Sequence, residues 1–355
     1  MYCGAGYTTG MFGKWHLGTG DEYHPTRRGF DEAIVTQGGH FAPDYLVVPP
    51  PGSAAVDAAE GEYLARFLTD RAVDFIARHA AASHQGRPFF LYLPHFAVHT
   101  PIQAPDETVA RFADKPPVGG HHYATYAGMV AEVDDSVGRV VAALQQHGLT
   151  ANTLVLFSSD NGGHGGYGAL GTSIDDRSAG TVRNITDNAP LRGGKGMLYE
   201  GGVRVPLIAK WPGHIRPATT CREPVISVDL LPTLATLAGA RHDASIERDG
   251  VSLVPLFAET DTDLGRDALY WHFPGYLQAN EDEGTWRTTP AGAIRVGSYK
   301  LIEFFEDGRL ELYDLAADLG QQHDLAPSEP ALVARLHDKL VAWRRQVDAP
   351  MPHAK

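Results

Sequence analysis

A few side chains of this sequence have the types and settings to act on a small anion. Lys14 and His16 stand two residues apart in Gly13-Lys14-Trp15-His16-Leu17-Gly18, a spacing that sets both on one side of an extended segment. The lysine offers a point charge and the histidine a proton; the same residues also fit a solvated lysine beside a packed tryptophan. His95 and His99 lie four apart in His95-Phe96-Ala97-Val98-His99-Thr100-Pro101. They do not form the zinc-binding His-Glu-x-x-His helix, because Phe96 replaces the glutamate and Pro94 and Pro101 exclude a helix. At least one of the two therefore reads as a core histidine. Asp160-Asn161-Gly162-Gly163 offers a carboxylate and an amide oxygen followed by residues that let the backbone close around an ion. Such hard donors suit Ca²⁺ or Mg²⁺, although the tetrapeptide also reads as a turn and two donors leave most of the roughly 6–8 positions of Ca²⁺ open. Lys195, in Arg192-Gly193-Gly194-Lys195-Gly196, is an anion-facing cation or part of a solvated loop. Neither lysine belongs to a P-loop, since the residues six before and one after are Thr8 and Trp15 for the first, Ala189 and Gly196 for the second.

The elements that must position these residues are legible in outline. Asp57 to Ala80 repeats apolar residues at Leu64, Phe67, Leu68, Phe75 and Ile76, with Asp57, Glu60 and Glu62 ahead of them, which predicts an amphipathic helix with acidic opening turns. Phe89 to Leu93 reads as a buried strand, and the next stretch, bracketed by Pro94 and Pro101, as a loop. A second helix is expected over Tyr123 to Leu144, burying Tyr126, Met129, Val130, Val133, Val137, Val140 and Leu144. Thr153 to Phe157 is another buried strand, delivering Asp160 and Asn161 at its carboxyl end, where ligands of such sheets bind. Gly162 to Pro190 reads as a long surface loop, Val203 to Trp211 as a strand, and Ser227 to Gly239 as a short helix capped by Ser227 or Asp229. Helices alternating with apolar strands predict an α/β layer, a largely parallel mixed sheet flanked by helices. After Arg266 the pattern turns to antiparallel strands at 293–296, 299–305 and 309–313, joined by Gly297-Ser298 and Asp307-Gly308. A final helix around Glu329 to Val347 buries Leu332, Leu336, Leu340 and Trp343. The expected organisation is a large α/β domain over 1–265 and a small α+β domain over 266–355.

The chain has 355 residues and a formal charge of −13, which argues against a nucleic-acid surface. Two cysteines, Cys3 and Cys221, build no disulfide framework. No run reaches the roughly 18–20 apolar residues of a membrane span, and the first residues carry no signal-peptide pattern.

Taken in order, Gly-Lys-Trp-His-Leu-Gly at 13–18, Pro-His-x-x-x-His-x-Pro at 94–101, Ser-Asp-Asn-Gly-Gly at 159–163 and Arg-Gly-Gly-Lys-Gly at 192–196 resemble the type I sulfatases of the alkaline-phosphatase-like superfamily. Gly29-Phe30-Asp31, Tyr199-Glu200-Gly201-Gly202-Val203-Arg204-Val205-Pro206, Asp229-Leu230-Leu231-Pro232-Thr233 and Glu311-Leu312-Tyr313-Asp314-Leu315 extend the resemblance over nearly the whole chain. It implies hydrolysis of sulfate esters, of a carbohydrate or an aryl sulfate, while the charge balance and the lack of an amphipathic membrane face speak for no nucleic-acid and no membrane partner. By the same resemblance Asp160 and Asn161 are ligands of Ca²⁺, ahead of Mg²⁺; Lys14 and Lys195 contact the sulfate; His16 serves the nucleophile as a base; and His99 stands near the leaving-group oxygen. These roles make physical sense, because charge builds on the sulfate and on the departing alkoxide. With an acidic exterior, attraction for sulfate would be local, within a Debye length of about 8 Å.

The family's nucleophile is a formylglycine made from a Cys, sometimes a Ser, within Cys-x-Pro/Ala-x-Arg, and two adjacent aspartates complete its metal site, both upstream of Gly-Lys-Trp-His. Cys3 is followed by Gly-Ala-Gly-Tyr and Cys221 by Arg-Glu-Pro-Val, so neither matches. The resemblance thus implies a sulfatase lacking its N-terminal segment and inactive alone, through a truncated reading frame, a second chain or a true loss. A periplasmic or secreted location is what it implies for a complete member. Two other readings stay open: a phosphoester hydrolase of the same superfamily, and a non-catalytic carbohydrate-binding remnant in which Trp271, His272, Phe273 and Tyr276 stack on sugars or simply pack.

Overall fold

The computed structural model describes residues 5–48, 50–52, 56, 58–119, 121–165, 175–176, 181–182, 185–240, 249–280 and 285–352. Cys3, Asp57 and most of the expected loop over 162–190 lie outside them. The chain divides into two units, one comprising 1–116, 123–155 and 209–264, the other 117–122, 156–208 and 265–355.

The first unit is built on β1 (Thr8–Lys14), β2 (Glu32–Gly38) and β3 (Tyr45–Val48), then α1 (Leu64–His84), β4 (Phe89–Tyr92), α2 (Asp106–Val109) and α3 (Ala124–Gln146). Its sheet has the order β3-β2-β1-β4. β1 runs parallel to both β2 and β4, and β3 is antiparallel, so the α/β mixed sheet expected from the alternation is present. Helix α1 lays Leu64, Phe67, Leu68, Ala72 and Phe75 against Phe12 and Tyr45, all buried. Gly10 makes that approach possible, because a Cβ there would lie 2.7 Å from the Phe75 ring.

Helix α1 begins at Leu64, later than the expected Asp57. Gly61 takes a left-handed φ of +74° and turns the chain, so Glu60 and Glu62 precede the helix. At its other end the alanine run continues the helix to His84, and Gly86, at φ +83°, closes it. Helix α3 is rotated relative to the apolar stripe: Val130 is exposed, whereas Glu132 and Ser136 are buried. The Arg66 guanidinium explains the exception, holding Glu132 through Nε–Oε2 at 2.9 Å and Nη2–Oε1 at 2.7 Å.

Further along come β5 (Val155–Ser158), two-residue strands β6 (Asp175–Asp176) and β7 (Thr181–Val182), α4 (Glu200–Val203) and β8 (Leu207–Lys210). β5 pairs with β8. The strand expected from Val203 starts only at Leu207, because Glu200 to Val203 coil into one helical turn. Helix α5 (Leu230–Leu237) follows a 3-10 turn over Ser227–Asp229, and α6 (Val254–Ala258) comes next. Buried Asp229 accepts the N–H groups of Ile226 and Val251 at 2.9 and 3.0 Å, tying two chain segments together rather than capping the first turn of α5.

The second unit's sheet contains β9 (Leu269–Phe273), β12 (Ala291–Val296), β13 (Tyr299–Phe304) and β14 (Leu310–Asp314), with a separate hairpin of β10 (Leu277–Asn280) and β11 (Thr285–Thr288). The order is β14-β13-β12-β9, antiparallel throughout. Helix α7 (Pro330–Gln346) covers it, burying Leu336 and Leu340 against Ile294, Leu301 and Leu312. No helix among the described residues is long and apolar enough to cross a membrane.

Candidate functional site

In the first unit, parallel pairing brings the carboxyl ends of β1 and β4 to one edge. The Lys14 N–H donates to the Pro94 carbonyl at 2.8 Å, and Gly13, at φ +139°, sits where any Cβ would strike that carbonyl. The strand end is thus joined to the loop that carries both histidines. Lys14 Nζ lies 5.4 Å from the centroid of Phe96, whose ring is 5.0 Å from that of His99. Trp15 packs edge-on against Phe30 and donates Nε1–H to the Tyr23 carbonyl at 2.9 Å. His16 follows as an exposed side chain.

The two histidines of the loop divide their duties. His95 Nε2 lies 2.9 Å from Ser136 Oγ on α3, and burial pushes its pKa down to about 4. It is the core histidine of the pair. His99 Nδ1 lies 2.8 Å from the Thr100 carbonyl, which can only accept. Nδ1 therefore carries a proton, and Nε2 is the nitrogen at which a proton is taken up or released. His40, which no motif in the sequence marks, is fully buried and sets Nε2 2.8 Å from the His99 carbonyl. Burial pushes its pKa down to about 4, so it stays neutral near pH 7.

In the second unit, Asp160, Asn161 and Lys195 meet in a node of interleaved backbone. Gly162 N–H donates to the Gly202 carbonyl at 2.9 Å, and Lys195 N–H to the Gly163 carbonyl at 3.0 Å. A Cβ at Gly162, Gly194, Gly201 or Gly202 would fall on a neighbouring carbonyl oxygen. These glycines, loop residues by sequence, are what allow the segments to pack. Asn188 also belongs to the node, although an asparagine in a polar loop has no distinctive sequence pattern. Its Nδ2 reaches the carbonyls of Gly163, Gly165 and Gly193 at 3.0, 3.2 and 3.0 Å.

The node is braced by the motif from Tyr199 to Arg204. Lys300, fully buried on β13, donates to Glu200 Oε1 at 2.7 Å, and Arg204 reaches Oε2 at 3.2 Å. Burial works against the Glu200 carboxylate, yet Lys300 and Arg204 outweigh it and hold its pKa below the ordinary value. Arg192 lies over the Tyr199 ring, 4.2 Å from its centroid, and donates to Tyr313 Oη at 2.9 Å and to the Gln321 carbonyl at 3.1 Å.

The donors for a hard cation are Asp160 and Asn161. Asn161 donates Nδ2–H to Asp160 Oδ1, and its own Oδ1 is buried without a hydrogen-bond partner among the described residues. A buried acceptor left open fits a cation in kind. In number the set falls short, since no group of three or more His, Cys, Asp and Glu that could hold a metal occurs among the described residues.

Comparison with known proteins adds an independent finding. A family model described as Sulfatase matches residues 2–240, and one described as N-sulphoglucosamine sulphohydrolase, C-terminal, matches residues 194–346. A sulfatase of Formosa agariphila is 34% identical over 312 residues, covering 81% of this chain and 51% of its own length. The N-acetylgalactosamine-6-sulfatase of Mus musculus is 33% identical over 267 residues, covering 71% and 46%. The crystal structure of Ps i-CgsB in complex with k-i-k-neocarrahexaose matches at a TM-score of 0.76 and 29% identity, over 96% of this chain and 72% of that one. The chain spans about half the length of the curated relatives it matches.

Proposed function

The chain belongs to the sulfatase family, and from that membership we propose that its candidate residues serve the hydrolysis of sulfate esters, of a sulfated carbohydrate or an aryl sulfate. The observation that carries this reading is the second unit's node, where the open Oδ1 of Asn161 and the backbone of Lys195 are held by the same glycine-packed segments. Hard oxygen donors for a cation and a nearby lysine are what an anionic ester needs in its transition state.

In this reading Lys14 and Lys195 contact the sulfate and offset the charge that builds on its oxygens. His16 acts as base toward the nucleophile. His99, with Nδ1 engaged by the Thr100 carbonyl, passes a proton from Nε2 to the leaving alkoxide. Asp160 and Asn161 would hold Ca²⁺, in preference to Mg²⁺, and the ion would supply Lewis-acid stabilisation and orientation of the ester. No formylglycine nucleophile can be made within these residues, because neither Cys3 nor Cys221, nor any serine, is followed by x-Pro/Ala-x-Arg. The 355 residues by themselves are therefore proposed to turn over no sulfate ester.

An aryl sulfate assay tests this in two stages. The purified chain should give no turnover, and turnover by it would overturn the proposed need for another nucleophile. Joined to a segment supplying processed Cys-x-Pro/Ala-x-Arg and two adjacent aspartates, it should hydrolyse the sulfate. Preference for a phosphate ester by the joined protein would assign it to phosphoester hydrolysis. Glycan binding that ignores Lys195→Ala, without turnover, would leave only a carbohydrate-binding role.

A further inference from the structure

The β10–β11 hairpin carries an aromatic pair that the candidate site does not use. Tyr276 and Trp286 are 47% and 45% exposed, with ring centroids 5.0 Å apart and planes at 50°. The other tryptophans, Trp15, Trp211, Trp271 and Trp343, are all less exposed. Of the aromatic residues that the sequence offers for sugar stacking, only Tyr276 presents such a face. Trp271 packs beneath Lys300, whose Nζ is 5.2 Å from its ring. His272 lies 5.5 Å from the Phe305 ring, with Nε2 2.7 Å from the Pro350 carbonyl.

The pair is held in place and sits beside the Lys195 loop. Tyr276 Oη donates to Glu306 Oε1 at 2.7 Å, which fixes the ring and raises the phenol pKa. Two residues beyond Trp286, Thr288 Oγ1 donates to the Gly196 carbonyl at 2.6 Å. Between them, Arg287 contacts His164 Nε2 at 2.7 Å. The hairpin that presents Trp286 is thereby pinned to the segments that hold Lys195 and Asn161.

We propose that Tyr276 and Trp286 form a sugar-stacking subsite next to the Lys195 loop, taking a pyranose ring of a glycan whose sulfate is held at Lys195. A pyranose has an apolar face of C–H groups and a rim of hydroxyls. It therefore matches an exposed aromatic face with a carboxylate, Glu306, at its edge. Fixing the Tyr276 ring before binding lowers the ordering cost of the contact. The proposal rests on the sulfatase reading for the sulfate, but not for the sugar ring.

The test is binding of a chondroitin 6-sulfate hexasaccharide and its desulfated counterpart to the full chain, followed by calorimetry and by tryptophan fluorescence. Trp286→Ala should weaken both ligands about tenfold, Trp286→Phe should restore most of the loss, and Lys195→Ala should weaken only the sulfated one. Unchanged binding of both ligands by Trp286→Ala overturns the subsite, as does a shift in sedimentation with Trp286→Ala and no change in glycan binding, which would make the pair a contact between copies. Equal affinity for both ligands, lost in Trp286→Ala, supports the subsite and contradicts the sulfate reading.

Discussion

Lys14 and His99 stand where two parallel strands and an apolar core put them, whereas Asn161 and Lys195 stand where glycines let backbone segments interleave. In the first unit the support is Phe75, Phe67 and Leu68 packed under the sheet, together with neutral buried histidines such as His40. A core of that kind yields gradually when volume changes. In the second unit the support is carbonyl and N–H groups in direct contact, with a buried Lys300–Glu200 pair behind them. Gly162, Gly194, Gly201 and Gly202 each face a carbonyl oxygen rather than a side chain that could give way. Apart from Gly13, whose Cβ would strike the Pro94 carbonyl, the two regions should therefore fail differently, the first in proportion to the insult and the second at the first added methyl group.

The largest effect should come from the buried pair. Lys300→Met leaves Glu200 buried with only the partly exposed Arg204, and should cost about 3–5 kcal/mol in denaturant unfolding. The double variant Lys300→Met/Glu200→Leu should recover most of that loss, because the penalty lies in the unpaired charge. Failure to recover would mean that the pair braces the node by geometry rather than by charge balance.

Next comes Gly162→Ala, whose Cβ would fall on the Gly201 carbonyl. It should cost about 3 kcal/mol or more and shift the amide resonances of Gly163 and Lys195. A small, graded loss would erase the distinction between the two regions.

The first unit should instead show its weakness as acid sensitivity. His40 has a folded pKa of about 4, below the unfolded value of about 6.5. Unfolded chains therefore bind the extra proton between these values, and stability present above about pH 6.5 is lost as the pH falls toward about 4. The full loss approaches about 3 kcal/mol, measurable as urea midpoints at about pH 7 and pH 4.5. His40→Gln, which retains a donor for the His99 carbonyl, should roughly halve the dependence, the rest coming from His95, whose pKa burial also lowers to about 4.

The smallest effect marks a glycine with no such duty. Gly138, in α3, has nothing within 4 Å of its Cβ position, so Gly138→Ala should stabilise by about 0.5–1 kcal/mol, read as a higher Tm.

The same contrast explains what the sequence discloses. Apolar periodicity locates α1, α3, α7 and the strands β4 and β5, because burial of side chains writes itself into residue type. It misplaces the start of α1, where the conformation of Gly61 decides, and the buried face of α3, where Arg66 makes Glu132 an inside residue. β9 reads as an aromatic cluster because Leu269 to Phe273 has no polar alternation. β10 and β11 stay hidden because Leu277–Asn280 and Thr285–Thr288 are short and carry no apolar run. Of the candidate site, the side chains proposed to carry chemistry were picked out by their ordered motifs. Asn188, His40 and the Lys300–Glu200 brace are not, since each acts on backbone or on a residue distant in sequence.

Asn161 and Lys195 are proposed to be held by this node where they act on a sulfate ester. The most direct measurement is kcat/KM for an aryl sulfate by the protein joined to a nucleophile-bearing segment, compared with its Asn161→Ala and Lys195→Ala variants. Each substitution should lower kcat/KM by about 10²–10³ while the unfolding midpoint stays within error. Turnover unchanged in both variants would contradict the proposal.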